Sequence, residues 1–317
     1  MNDYKDWDSF LYYFSASSSQ SFLKKCYHLQ HLDSAEQKSY ENSYPFIYYL
    51  EHGQIYYKQA ELAPLLIKPI LLFYGLVHLI KACILTVDPN YPETTTVLAH
   101  GVSTRKRKKQ QYHFFQDEVK IQKSGLYPYM GEKLFHMKHL EGEKTNMREL
   151  LAQIPELNQM FIQTEGKQTF FQMKHQDQTY MLPKDILDSF HMTEARFIEY
   201  WKNETSSDIQ LQGSNEQYIQ FKIGSTGLND CLPIKYNFEN GQHYFPRTKN
   251  SLNLYPELLI HYLLLYNLSM IARYETEWWS ELIKMMPNQD FPFIQAFLNI
   301  TAKKGPFLIY QTLSKEK

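Results

Sequence analysis

Residues Leu62 to Val87, LAPLLIKPILLFYGLVHLIKACILTV, are the stretch that most limits what this chain can fold into. A run this long and apolar either crosses a bilayer or is wrapped by other elements of a protein core. Lys68, Pro69, His78 and Lys81 interrupt it. Each charge near a bilayer centre costs roughly 2.5–3.5 kcal/mol on insertion scales. A second apolar run, PELLIHYLLLYNLSMIA, begins at Pro256. Two buried helices packed on each other account for both runs, so no stable membrane insertion is expected.

The rest of the pattern places those helices. The first 60 residues read as helical, with Ser34 before a segment whose helix is expected to break near Pro45 and Gly53. The middle alternates apolar and polar residues in DEVKIQKSGLYPY and QTFFQMKHQDQTYML, a strand signal. SSDIQLQGSNEQYIQFKIGSTG reads as a hairpin, and LPIKYNFENGQHYFP carries an Asn-Gly turn. Short helices are expected in NMRELLAQIPELNQMFIQ and TEARFIEYWKN, and the chain is helical again after Leu252. The expected fold class is mainly α (α+β). Residues 1–110 and 250–317 form one helical core, and 111–249 form a mixed α/β insert.

Bulk charge and motifs exclude several function classes. With 33 basic and 34 acidic residues the net charge is −1, so any basic effect must be local. Cys26, Cys83 and Cys231 stand singly, which argues against a zinc knuckle and fits a reducing compartment. The N-terminus shows no basic region followed by an apolar one, so a cytoplasmic location is expected. The chain lacks GxxxxGK[ST], GxGxxG and GxSxG, and no cofactor is expected. His136 and His139, with Glu141 and Glu143, lack the HExxH spacing, so no metal is expected there.

Candidate binding residues lie on two helical stripes and one loop. Tyr74, His78 and Lys81 share one face of the first apolar helix, and Tyr262, Tyr266, Ser269 and Arg273 share one face of the second. If the helices pack, these stripes converge, with His100 just beyond the first. The plainer alternative is that each stripe is the hydrogen-bonded or solvent side of a core helix. Between them, Arg105 to Lys109 are five consecutive basic residues followed by Tyr112, His113, Phe114 and Phe115. Cations displace counterions from nucleic acid and rings stack on unpaired bases, but a charge run is also an ordinary solvated loop. The candidate ligand residues are His78, Lys81, His100, Arg105, Arg107, His113, Ser269 and Arg273; no catalytic residue is assigned.

PLLIKPILLFYGLVHLIKACILTVDPNYPETTTVLAHGVSTRKRK, with the later NLSMIARYETEWWSEL, resembles the YaaC-like proteins, a bacterial family, over nearly the whole chain. LFYGLVHLIKACIL followed by Ala99-His100-Gly101 also resembles the HEPN superfamily of small helical domains. Catalytic HEPN members are metal-independent ribonucleases with an Arg-(4–6 residues)-His motif on a late helix. Arg107 and His113 have that spacing but follow the His-Gly loop, and Arg273 lies on a late helix with no such His after it. The resemblance therefore implies a protein that binds RNA or a nucleotide through a basic loop and a polar pocket. The alternatives are a protein-interaction scaffold, with protein partners or a second copy of itself, and a ribonuclease.

Overall fold

The computed structural model describes residues 4–104, 113–177, 179–205, 208–224 and 231–315. The basic run from Arg105 to Lys109, with Tyr112, lies outside them. The fold is mainly α with small antiparallel sheets. A 3₁₀ turn at Trp7–Phe14 leads into α1 (Ala16–Leu29), α2 (Ala35–Leu62) and α3 (Lys68–Val87). There follow β1 (Val102–Thr104), β2 (Glu118–Ile121), α4 (Leu126–Phe135) and β3 (Lys144–Asn146). Next come α5 (Met147–Leu151), α6 (Asn158–Glu165), β4 (Phe170–Gln172), β5 (Lys174–Gln176), β6 (Thr179–Pro183), α7 (Asp185–Phe190) and α8 (Glu194–Thr205). Then come β7 (Ile209–Ser214), β8 (Tyr218–Ile223), β9 (Lys235–Asn237) and β10 (Gln242–Pro246). The helices α9 (Glu257–Tyr274), α10 (Thr276–Met285) and α11 (Asp290–Lys315) end the chain.

Two compact units are formed, Met1–Met147 with His261–Lys317, and Arg148–Ile260. The first is therefore discontinuous in sequence, and its edges fall at 147 and 261, where 110 and 250 were expected.

In the first unit α3 is the central element, in contact with α1, α2, α4 and α11. Pro69 sits in its first turn, where a missing N–H costs nothing. Asp88 ends it, donating its N–H to Ile84 O at 2.8 Å. Phe73 of α3 packs edge-on against Tyr262 at 5.3 Å and Tyr266 at 5.7 Å, so the two apolar runs do meet. The three-stranded sheet β1-β2-β3 lies in this unit. Asp117, just before β2, is buried and accepts from Asn267 Nδ2 at 2.8 Å.

The expected break in α2 does not occur: the helix runs through both Pro45 and Gly53. Proline deprives the carbonyl four residues earlier of its partner. Here that carbonyl belongs to Glu41, and both Glu41 and Pro45 are exposed, so water can satisfy it. Gly53 and Gly75 sit where α2 and α3 approach most closely. A β-carbon on Gly75 would meet the Tyr57 ring at 2.7 Å.

The second unit has its own core. The four-stranded sheet β5-β6-β8-β7 and the three-stranded sheet β4-β10-β9 are antiparallel throughout. The core draws on both sheets and on α7 and α8, with Trp201 edge-on to Phe221 at 5.0 Å and Phe245 at 4.8 Å.

Because Tyr57 is fully buried and cannot swing away, Gly75→Ala should overpack the α2–α3 seam. The expected loss is about 1–3 kcal/mol of stability, read as a lower denaturant midpoint. Gln59→Ala, on the exposed side of α2, should stay within about 0.5 kcal/mol of the parent. Equal midpoints for the two variants would mean that the helices are not this closely packed.

Candidate functional site

The loop after α3 is tied down by its backbone. Ala99 O accepts the N–H of Leu126 at 2.7 Å, and Gly101 O accepts that of Gln122 at 3.0 Å. His100 O accepts both the Tyr127 N–H at 3.2 Å and the Tyr262 hydroxyl at 2.9 Å. Gly101 has φ +75° and lies directly against Gly125, leaving no room for a side chain at either. These bonds fix the His100 imidazole against Phe73 at 5.0 Å, Tyr266 at 5.7 Å and Tyr74 at 6.1 Å.

Arg273, in the last turn of α9, reaches the same place. Its Nη1 donates to the Tyr74 hydroxyl at 2.9 Å, its Nε to Ser269 O at 3.2 Å, and its Nη2 to Met270 Sδ at 3.1 Å. The guanidinium lies 5.6 Å from the Tyr74 ring centre and 5.3 Å from that of Tyr274. All three acceptors are neutral. Among the described residues, no carboxylate forms an ion pair with Arg273 or with Lys81.

From Tyr74 a strip of rings continues along the seam between α2 and α3. Tyr56 lies 6.3 Å from Tyr74 and is stacked on His78 at 5.6 Å with an interplanar angle of 16°. His78 also meets His52 at 5.2 Å and Tyr49 at 6.1 Å. Lys81 closes the far end, its Nζ 5.7 Å from the Tyr49 ring centre. The sequence pattern anticipated Tyr74, His78, Lys81, His100 and Arg273. It missed Tyr49, His52 and Tyr56, although their i, i+3, i+7 spacing on one helix was there to be read.

The chain matches the family model described as YaaC-like Protein over residues 11–313. It belongs to the YaaC-like family. No curated protein and no solved structure matches it.

Electrostatics at the strip are one-sided. Burial, then the charge of Lys81 and then His52, hold the His78 pKa down at about 4. Burial, then Arg273 and then Lys81, lower that of His100. Burial also lowers Lys81, with no acid acting to raise it. Near neutral pH, His78 is therefore an uncharged ring between two cations.

The other expected ligand residues lie differently. The Ser269 hydroxyl donates to Tyr266 O at 2.8 Å within its own helix, so Ser269 offers Arg273 a carbonyl and offers a ligand nothing. His113 lies beside α11, 3.9 Å from the buried Asp290 carboxylate and 3.5 Å from Asn288 Nδ2. No contact joins it to the His100 cluster among the described residues. Arg105 and Arg107 lie outside those residues. His136 caps α4 in a left-handed conformation. Among the described residues no three His, Cys, Asp or Glu side chains are grouped to hold a metal.

The depressed His78 fixes the sign of a pH effect. The unfolded chain takes up a proton near pH 6.5 and the folded one only near 4, so the stability tied to neutral His78 is present above 6.5 and drains away between the two. The melting temperature of His78→Leu should therefore rise relative to that of the parent between pH 7 and pH 4.5. A gap between the two proteins that does not change with pH would show that His78 titrates normally.

Proposed function

We propose that this chain binds an anionic nucleotide-type ligand, RNA or a free nucleotide, at the cluster of Arg273, His100 and Lys81. One observation carries the reading: Arg273 and Lys81 are half-buried cations without an acid partner among the described residues. Burying charge is costly unless something of opposite sign meets it. Arg273 has five donors and gives three to neutral protein atoms, which leaves a fork for a phosphate. The HEPN-like resemblance belongs to the same proposal. In its favour, α3, the Ala99–Gly101 loop and a late helix bring their polar groups to one place. A cytoplasmic setting fits three cysteines that stand singly in the sequence and are buried.

A second reading, docking of a protein partner, draws on Tyr40, Tyr44 and Tyr48. These lie one turn apart on α2 and are 69%, 54% and 54% exposed. A ribonuclease would need His100 to move a proton beside Arg273, and the same titrations read for RNA cleavage test that.

Arg273→Ala should weaken binding of nucleoside phosphates and single-stranded RNA by about 10- to 150-fold, the value of a charge-assisted hydrogen bond. The measurements are calorimetry and anisotropy beside a thermal melt. A much lower melting temperature with unchanged affinity would make Arg273 a structural tie and retire the site. Replacing Arg105, Arg107 and Lys108 together by alanine should flatten the salt dependence of RNA binding, because fewer counterions are released. A salt slope identical to the parent's would remove the basic run from the interface.

A further inference from the structure

We propose that the seam between α2 and α3 is a base-stacking subsite, formed by Tyr49, His52 and Tyr56 with His78, so that the ligand carries a heteroaromatic ring as well as a phosphate. The inference rests on the anion-binding reading of Arg273 and adds the ring.

Placement separates these side chains from ordinary core aromatics. Tyr57 and Phe73 are buried to 1% and 0% exposure, Tyr57 packed against Gly75 of α3 and Phe73 against Tyr262 and Tyr266 of α9. Tyr49, Tyr56 and His78 are half-buried and His52 is exposed, all along one edge of the seam. The i, i+3, i+7 residues of α2 face Tyr74, His78 and Lys81, the i, i+4, i+7 residues of α3. The product is a row of neighbouring rings, with Tyr56 and His78 nearly parallel, Tyr49 and Tyr74 tilted against them, and His52 edge-on to His78.

The row also has the electrostatics of a base platform. An uncharged imidazole stacks on a nucleobase without the desolvation cost of a cation, and the Nδ1 of His78 is buried with no hydrogen-bond partner among the described residues. A buried polar atom left unmatched favours any rearrangement that supplies a partner, and the edge of a base carries both donors and acceptors. Among the described residues, cations stand at the two ends, Lys81 over Tyr49 and Arg273 over Tyr74. Tyr74 and Lys81 are seven residues apart, about 10 Å along the helix. A ring on the strip and a sugar leading to Arg273 would occupy that span. A bare inorganic anion would leave the row of rings unused.

The test is calorimetry with three probes, adenosine 5′-monophosphate, uridine 5′-monophosphate and ribose 5-phosphate. Both nucleotides should bind roughly 5- to 150-fold more tightly than the sugar phosphate, the range for one stacked base. Tyr56→Leu keeps bulk but removes the π face. It should bring the nucleotides down to the affinity of ribose 5-phosphate while leaving the sugar phosphate unchanged, and Tyr56→Phe should restore the difference. Equal affinity for all three probes, or nucleotide binding indifferent to Tyr56→Leu, would overturn the stacking subsite and leave the anion site standing. Failure of all three to bind the parent protein would overturn both.

Discussion

The helix Lys68–Val87 has almost no side on which it can face water, and the first unit is arranged by that fact. Most of its side chains are buried, and α1, α2, α4, α9 and α11 each cover part of it. Hydrophobic burial has no direction of its own, so direction comes from steric fit. Gly53 and Gly75 admit α2 to near backbone contact, and Phe73 keys between the rings of Tyr262 and Tyr266. Between Leu71 and Thr86, what remains of the helix's circumference is one narrow stripe, Leu71, Tyr74, His78 and Lys81, all half-buried at spacings of three and four. The candidate site lies on the part of α3 that packing does not use.

The polar part of that stripe, Tyr74, His78 and Lys81, was legible in the sequence because it interrupts an apolar background, where each polar residue stands out at helical period. The same holds for Tyr262, Tyr266 and Arg273 on α9. Pairing of the two helices followed from composition, and the β7–β8 and β9–β10 hairpins followed from alternation and an Asn-Gly turn. The third wall was missed for a physical reason. On α2 the background is polar and rich in tyrosine, so Tyr49, His52 and Tyr56 do not contrast with their neighbours. A local rule about Pro45 and Gly53 then cut the segment where the helix in fact continues. Tertiary burial against α3 outweighed the weak local preference for a break. Helix α4 was hidden likewise, inside LYPYMGEKLF, behind a strand-like stretch and a proline that falls in its first turn.

Ser269 shows the limit of reading a site from spacing alone. It shares a helical face with Arg273, but a serine inside a helix can turn its hydroxyl back to its own backbone, and this one does. Face sharing predicts proximity; it does not predict which group is left free. Arg273 passes the stricter test, because three neutral acceptors cannot exhaust a guanidinium.

The choice of acceptors gives the site its character. A carboxylate partner on α3 would have held Arg273 more firmly and neutralised it. Tyr74 holds it instead with a neutral oxygen and a ring face, which fixes the geometry and leaves the charge in place. The field of that charge, with that of Lys81, reaches His100 and helps to keep it from becoming a third cation. An arriving anion would reverse the balance. It would screen the cations from each other, make protonation of His100 easier, and gain strength from doing so. Helix packing and the proposed ligand binding would thus depend on the same side chain through different atoms. Arg273 ties α9 to α3 through Tyr74, and the positive charge that this tie does not cancel is what the ligand would meet.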